Sequence, residues 1–319
     1  MNADLRNWLN VAGLPRLATV PGDVLAGFLL AGGVSLDGAG WTRLGYAVGA
    51  MLTAAVSDGI MLSAVRGSGT DAKESAEPPI AAGAIPARCL WLVFGVAILS
   101  ALNLAVGAGA GSKCSLPMAV VVVLLALIWP LRRKAERGGW TAAFAAALWR
   151  VGGVLLGAAV CSPLEFSPAG GPFTVPVGAG AAALGIYAGA VERLARRAER
   201  QSNLLPFLAI VFVLAPAMLA WVFAGGRTEE PPALFVALAG FAFAMPMLHS
   251  LMLWRVYPRY VDVPQLLDRH RLNVVRVQLA LTVVTAVSGE AFVPVLAVAL
   301  GLCALRVLCG FLSVRFPSL

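Results

Sequence analysis

Long apolar runs separated by short polar segments dominate the pattern of this chain. The apolar residues are continuous rather than alternating, which favours helices over the strands of a barrel. A helix needs about 20 such residues to cross the hydrocarbon core of a bilayer. Helices are therefore predicted over Leu17–Val34, Trp41–Val65, Pro86–Ala108, Ser115–Leu131, Trp140–Ala159, Pro172–Val191, Leu204–Ala224, Pro232–Trp254, Asn273–Ser288 and Ala291–Val314. Only Gly289 and Glu290 separate the last two, so nine to ten spans are expected.

The composition supports a membrane protein. Of 319 residues, 60% are hydrophobic and 13% charged, and the mean hydropathy is +0.85. A soluble globular protein has roughly 25% charged residues, so the composition excludes a soluble enzyme or a disordered chain. We expect an all-α, polytopic transmembrane helical bundle that forms one domain over residues 1–319. The stretch Met1–Val20 contains Pro15 and no clean apolar core, so no signal peptide is expected.

The basic residues lie mainly on one side of the predicted bundle. Eighteen of the 24 lysines and arginines fall at the termini and in the loops after the second, fourth, sixth and eighth predicted helices. The opposite side holds only Arg43, Lys113 and Arg227. By the positive-inside rule, both termini and the four basic loops are predicted to be cytoplasmic. No feature indicates nucleic-acid binding.

Carboxylates near the predicted cytoplasmic side are the first candidates for chemistry. Asp58 lies late in the second helix, and a carboxylate inside a span costs about 2.5–3.5 kcal/mol, so it indicates function unless it is hydrated near the helix end. The following loop contains Asp71 and Glu74. Carboxylates can hold Mg²⁺, which bridges phosphate oxygens, but the loop could equally be an ordinary solvated one.

Basic side chains supply a second group of candidates. Arg132 and Arg133 could grip a phosphate or serve only as a topology signal. Arg150 lies near the middle of the fifth predicted helix, where it needs a partner or a water-filled cavity; the alternative is a structural ion pair. Glu192 and Arg196 are spaced to pair on one helix face, either as a solvated helix end or as part of a ligand site.

Several other positions are expected to be structural. Asp23 follows Pro21 and Gly22 and is predicted to cap the first helix. Glycines four residues apart favour close helix packing within the bundle; they are Gly45/Gly49, Gly153/Gly157 and Gly185/Gly189. The five cysteines form no metal or disulfide pattern, so they are expected to act as small apolar packing residues.

Four stretches together resemble the UbiA superfamily of intramembrane prenyltransferases, within it the EboC-like branch. The first helix, the segment after the first acidic motif, a basic pair with the following glycine-rich helix, and the end of the sixth helix carry the similarity. These stretches are Leu14–Gly27, Glu77–Ile85, Leu131–Arg133 with Arg150–Gly157, and Tyr187–Arg200.

The acidic motifs of this sequence are degenerate relative to the family. Ser57 and Asp58 match the opening of the first motif, but Met61 and Val65 replace its later carboxylates. The second motif has no aspartate, and Glu192 and Glu199 are the nearest acids.

The resemblance implies a UbiA-like fold in a membrane, expected to be the bacterial inner (plasma) membrane, and transfer of a prenyl group from an isoprenyl diphosphate to a small acceptor at the cytoplasmic face. It assigns catalytic roles to Asp58, Asp71 and Glu192, and Mg²⁺ binding to Asp58, Asp71, Glu74 and Glu192. It assigns diphosphate binding to Arg66, Arg132, Arg133, Arg150 and Arg196. The alternative is a catalytically inactive relative that binds or helps export a lipophilic metabolite. A generic transporter ranks third because no inverted repeat is evident.

Overall fold

The computed structural model describes residues 8–9, 11, 17–32, 38–67, 85–109, 116–135, 139–161, 175–197, 244, 248–249, 251–252, 263–285 and 292–315. Within these ranges the chain is helical and contains no strand. The eight helices are α1 (Val20–Leu30), α2 (Gly38–Gly67), α3 (Ala87–Gly109), α4 (Leu116–Ala135), α5 (Gly139–Val160), α6 (Val175–Arg197), α7 (Val263–Thr285) and α8 (Phe292–Arg315).

These helices confirm the predicted all-α architecture of an integral membrane protein. Each overlaps one predicted apolar run. The predicted helix Leu204–Ala224 lies outside the described residues, as does most of Pro232–Trp254. Three described segments are long and apolar enough to cross a membrane: Gly38–Ala64, Ala87–Gly109 and Trp140–Val160. The number of nine to ten spans stays a prediction.

Helix α1 is short and lies inside the bundle. Pro21 sits in its first turn, where proline is tolerated because that N–H has no helical partner. The helix ends before Gly32, whose φ of +83° is a left-handed conformation that glycine adopts readily. Nine of the 11 residues of α1 are buried, because α2, α5, α6 and α7 surround it.

Apolar side chains fill the space on both sides of α1. One cluster joins α1 to α2 and α5 and includes Phe28, Met51 and Leu156, all fully buried. The second joins α1 and α5 to α6 and α7 and includes Leu184 and Tyr187. The bundle is therefore built around α1 and α5, which face each other at its centre.

Glycines permit the close approach of α1 and α5. A Cβ added at Gly27 would collide with the backbone carbonyl of Val154, and one added at Gly157 would collide with the carbonyl of Val24. At Gly153 it would lie 2.8 Å from the Cβ of Asp23. Because backbone atoms cannot move aside as a flexible side chain can, this crossing requires glycine. The packing role predicted for Gly153 and Gly157 is confirmed.

The other two glycine pairs differ from each other. A Cβ added at Gly185 would lie 3.2 Å from the carbonyl oxygen of Ala147 on α5, and one added at Gly189 would lie 3.1 Å from that of Ala143. This pair therefore also serves close packing. In α2, Gly49 faces the side chain of Leu104, but no described atom lies within 4 Å of a Cβ added at Gly45. The described helices therefore do not require glycine at position 45.

A third apolar cluster joins the N-terminal segment to the ends of α2 and α3. Val11 packs with Ile60, Ile85 and Leu90, all nearly fully buried. The Ser63 hydroxyl donates a hydrogen bond to the Val11 carbonyl over 3.4 Å. Val11, which precedes α1 in the chain, therefore packs against the same end of α2 that carries Asp58.

Candidate functional site

A polar cluster at the centre of the bundle joins α1 to α5. The Arg150 guanidinium on α5 forms an ion pair with Asp23 on α1, with 2.6 Å between Nη1 and Oδ2. Its Nη2 donates a hydrogen bond to the Thr19 hydroxyl over 2.8 Å. The Asp23 side chain is completely buried, whereas 13% of the Arg150 side chain is exposed. Two charges thus neutralise each other inside the bundle.

Gln278 on α7 completes this cluster. Its Nε2 donates hydrogen bonds to Asp23 Oδ1 over 2.6 Å and to the Thr19 carbonyl over 2.9 Å. Gln278 is fully buried, and its amide lies directly against Gly22, where an added Cβ would overlap it. Both carboxylate oxygens of Asp23 are therefore engaged, one by α5 and one by α7.

The cluster decides two predictions made from the sequence. Asp23 does not cap α1: Thr19 occupies the N-cap position, no side chain caps the helix there, and the carboxylate of Asp23 turns to Arg150 and Gln278 instead. Arg150 has the structural ion pair that was one of its two interpretations. Reasoning from the sequence missed Thr19 and Gln278; the one available signal was that Gln278 is polar inside an apolar run.

Asp58 lies in a separate cleft between α2, α3 and α4. The cleft has a volume of about 30 Å³, more than the roughly 10–15 Å³ that a single water molecule requires. Ser57, Asp58 and Met61 of α2 face apolar and aromatic residues from the other two helices. Those residues are Phe94, Ile98, Leu125, Ile128 and Trp129. The cleft therefore combines one carboxylate with an almost entirely apolar wall.

Two features shape the Asp58 cleft. The Ser57 hydroxyl donates to the carbonyl of Ala54 over 2.7 Å, so this hydroxyl is used within its own helix. Phe94 and Trp129 meet edge to face, with their ring centroids 6.0 Å apart. These rings hold the α3 and α4 walls of the cleft against each other.

Glu192 lies at the C-terminal end of α6. Arg271 of α7 approaches it, with 3.9 Å between Nη2 and Oε2. The neighbouring Arg193 stacks over Trp140 at the N-terminal end of α5. The predicted pairing of Glu192 with Arg196 stays a prediction, because the side chain of Arg196 lies outside the described residues.

The described candidate residues thus occupy three places. Asp58 lies in the cleft between α2 and α4, Arg150 in the central cluster, and Glu192 at the α6–α7 end. The described lining of the Asp58 cleft includes neither Arg150 nor Glu192. Two groups of candidates fall outside the description. They are the loop residues Asp71 and Glu74, and the side chains of Arg66, Arg132, Arg133 and Arg196.

The described acids do not by themselves fit a magnesium site. Among the residues that the structure describes, no group of three or more histidine, cysteine, aspartate or glutamate side chains could hold a metal ion. Mg²⁺ prefers octahedral coordination by several oxygens, even when water supplies some of them. A site at Asp58 would need further ligands from beyond the described helices.

Comparison with protein families and with curated protein sequences finds no match. Among solved structures, the fold is similar to that of a digeranylgeranylglyceryl phosphate synthase in membranes, a UbiA-superfamily prenyltransferase. The TM-score is 0.59 at 11% sequence identity, and the match covers 90% of this chain and 99% of the other. At this identity the similarity establishes a shared fold.

Proposed function

We propose that this protein is a UbiA-like intramembrane prenyltransferase that moves a prenyl group from an isoprenyl diphosphate to a small acceptor. The observation that carries the proposal is the similarity of fold to a prenyltransferase over nearly the whole of both chains. In the proposed orientation both termini face the cytoplasm, in a bacterial inner membrane, and the reaction takes place at that face.

The proposed reaction needs charge at one end and an apolar space beside it. The allylic C–O bond breaks, pyrophosphate leaves with the electron pair, and the acceptor bonds to the carbon and loses a proton. Cationic side chains stabilise the charge that develops on the leaving group. We assign this role to Arg66, Arg132, Arg133, Arg150 and Arg196, of which Arg150 could reach a ligand only through the 13% of its side chain that is exposed.

We assign the acidic roles to Asp58, Asp71 and Glu192, with Glu74 as a further metal ligand. A bound Mg²⁺ would neutralise diphosphate oxygens and so favour their departure. Asp58 is the best supported of these residues, because it lines a cleft whose walls are otherwise almost entirely apolar. Such a lining suits the point where a polar head joins a hydrocarbon chain, and the cleft would have to widen to admit a whole substrate.

The proposal is tested by pyrophosphate release from prenyl diphosphates of several chain lengths, with purified full-length protein and Mg²⁺. Asp58→Asn should lower the rate by about a hundredfold, the usual effect of removing one group that stabilises developing charge. Thr42→Val is the matched control on the same helix, since this exposed hydroxyl bonds only to the Gly38 carbonyl. No release with any chain length, beside an active family enzyme, would refute the proposal.

A second candidate function is supported by the central ion pair. Asp23 neutralises Arg150, and the described acids form no metal-binding group. Both observations suit a non-catalytic relative that binds or helps export a lipophilic metabolite. This alternative predicts ligand binding that survives EDTA, and strict dependence on a metal would count against it.

A further inference from the structure

We infer that Asp23 is an internal counter-anion that competes with diphosphate for Arg150, an inference that rests on the proposed function. The two side chains carry opposite charges and touch at 2.6 Å. The central cluster therefore has no net charge to attract an anion. Removing the charge of Asp23 would leave Arg150 as an uncompensated cation in the middle of the bundle.

The donors of Arg150 are the reason for competition. Nη1 is bonded to Asp23, and Nη2 to the Thr19 hydroxyl. A guanidinium binds carboxylate and phosphate oxygens through the same planar set of N–H groups. A diphosphate that binds Arg150 through these nitrogens must therefore displace α1 contacts. The partial exposure of Arg150 leaves a route for this exchange, whereas Asp23 is fully buried.

Gln278 acts as the positioning residue for Asp23. Its Nε2 bonds both to Asp23 and to the Thr19 carbonyl, so it holds the carboxylate on the side of α1 that faces α5. This amide reaches α1 because residue 22 is glycine: any Cβ there would overlap Gln278. The strength of the competition should therefore depend on Gln278 as well as on Asp23.

The experiment measures the Kd of inorganic pyrophosphate for the purified full-length protein in EDTA, by calorimetry and by the shift in thermal unfolding. Asp23→Asn should bind pyrophosphate about tenfold more tightly than the wild type. The double variant Asp23→Asn/Arg150→Gln should lose this gain. Asn273→Leu is the matched control, because it removes a buried amide of α7, the helix of Gln278, that bonds to the Tyr187 hydroxyl rather than to Asp23.

A second variant covers the case in which Asp23→Asn does not fold. Gln278→Leu keeps both charges but frees the Asp23 carboxylate, and it should strengthen pyrophosphate binding by a smaller factor. Unchanged binding in folded Asp23→Asn and Gln278→Leu, a gain that persists without Arg150, or an equal gain in Asn273→Leu would overturn the inference. Pyrophosphate binding needs no turnover. The binding experiment can therefore succeed or fail independently of the prenyl-transfer assay, and the two outcomes can be distinguished.

Discussion

The guanidinium carbon of Arg193 lies 3.2 Å from the centre of the Trp140 ring, so a cation–π contact joins the C-terminal end of α6 to the N-terminal end of α5. Trp140 is 70% exposed. Contacts of this type at exposed positions contribute about 0.5–1 kcal/mol.

A double-mutant cycle should detect this contact. Trp140→Leu, Arg193→Gln and the double variant should show a coupling free energy of about 0.5–1 kcal/mol. Denaturant titration in mild detergent supplies the four free energies of unfolding, that of the wild type included. The cycle is needed because Arg193 has other interactions, which the double variant cancels. Additive effects would show that the stacked geometry contributes nothing to stability.

The buried ion pair should be more costly to break than to replace. Arg150→Met leaves the buried Asp23 carboxylate without its charge partner, and Asp23→Leu leaves the guanidinium without one; we expect a loss of about 3–5 kcal/mol in each case. Asp23→Leu/Arg150→Met removes both charges and should be more stable than either single variant. Unfolding titrations compare the three, and a double variant that loses the sum of both effects would contradict this expectation.

The α1–α5 crossing predicts an unusual sensitivity to one methyl group. Gly157→Ala should destabilise the protein by about 1–3 kcal/mol, because its Cβ would collide with the Val24 carbonyl. Gly45→Ala is the matched control in a helix interior, where no described atom lies within 4 Å of the added Cβ, and it should raise the free energy of unfolding by about 0.5–1 kcal/mol through helix propensity. Thermal unfolding in detergent measures both. Equal effects at the two positions would show that α1 and α5 can separate at little cost.

The thiol of Cys161 should be unreactive. Burial raises its pKa to about 12, an effect that the nearby Arg43 only partly opposes. The thiolate is the nucleophile, and a pKa above the ambient pH keeps its population small. Cys89 is exposed.

Alkylation at pH 8 checks this prediction. Variants that retain only Cys161 or only Cys89 are treated with N-ethylmaleimide, and mass spectrometry follows the modification. We expect Cys161 to react at least about tenfold more slowly, and faster as the pH rises towards its pKa. Equal rates at pH 8 would mean that the end of α5 opens to solvent.

The apolar runs predict a helix well where the helix is apolar along nearly its whole length. Helix α2 extends only a few residues beyond the predicted Trp41–Val65. The prediction fails where a helix begins with polar residues: α7 begins at Val263, ten residues before the predicted start. Its first turns carry charged and polar residues, and glutamine and arginine form helices readily without being apolar. A hydropathy pattern therefore does not detect a helix end that is formed by polar residues.

The candidate site is less predictable, because its partners are distant in the chain. The sequence alone indicates that a charge at Arg150 needs a partner. Asp23 and Arg150 are 127 residues apart, and Asp23 and Gln278 are 255 apart. No local pattern connects positions at these separations. The contact between Arg150 and Asp23 depends on how α1 is enclosed, which only the assembled bundle defines.

The shortness of α1 bears on how the protein enters its membrane. Eleven helical residues rise about 16 Å, against about 30 Å of hydrocarbon. With a carboxylate at Asp23 as well, α1 is a poor substrate for insertion by itself, and α2 is the first described helix long enough to be recognised. Asp23 meets its cationic partner only after another 127 residues have been synthesised. We therefore expect the membrane integration of α1 to be a late event that follows the synthesis of α5.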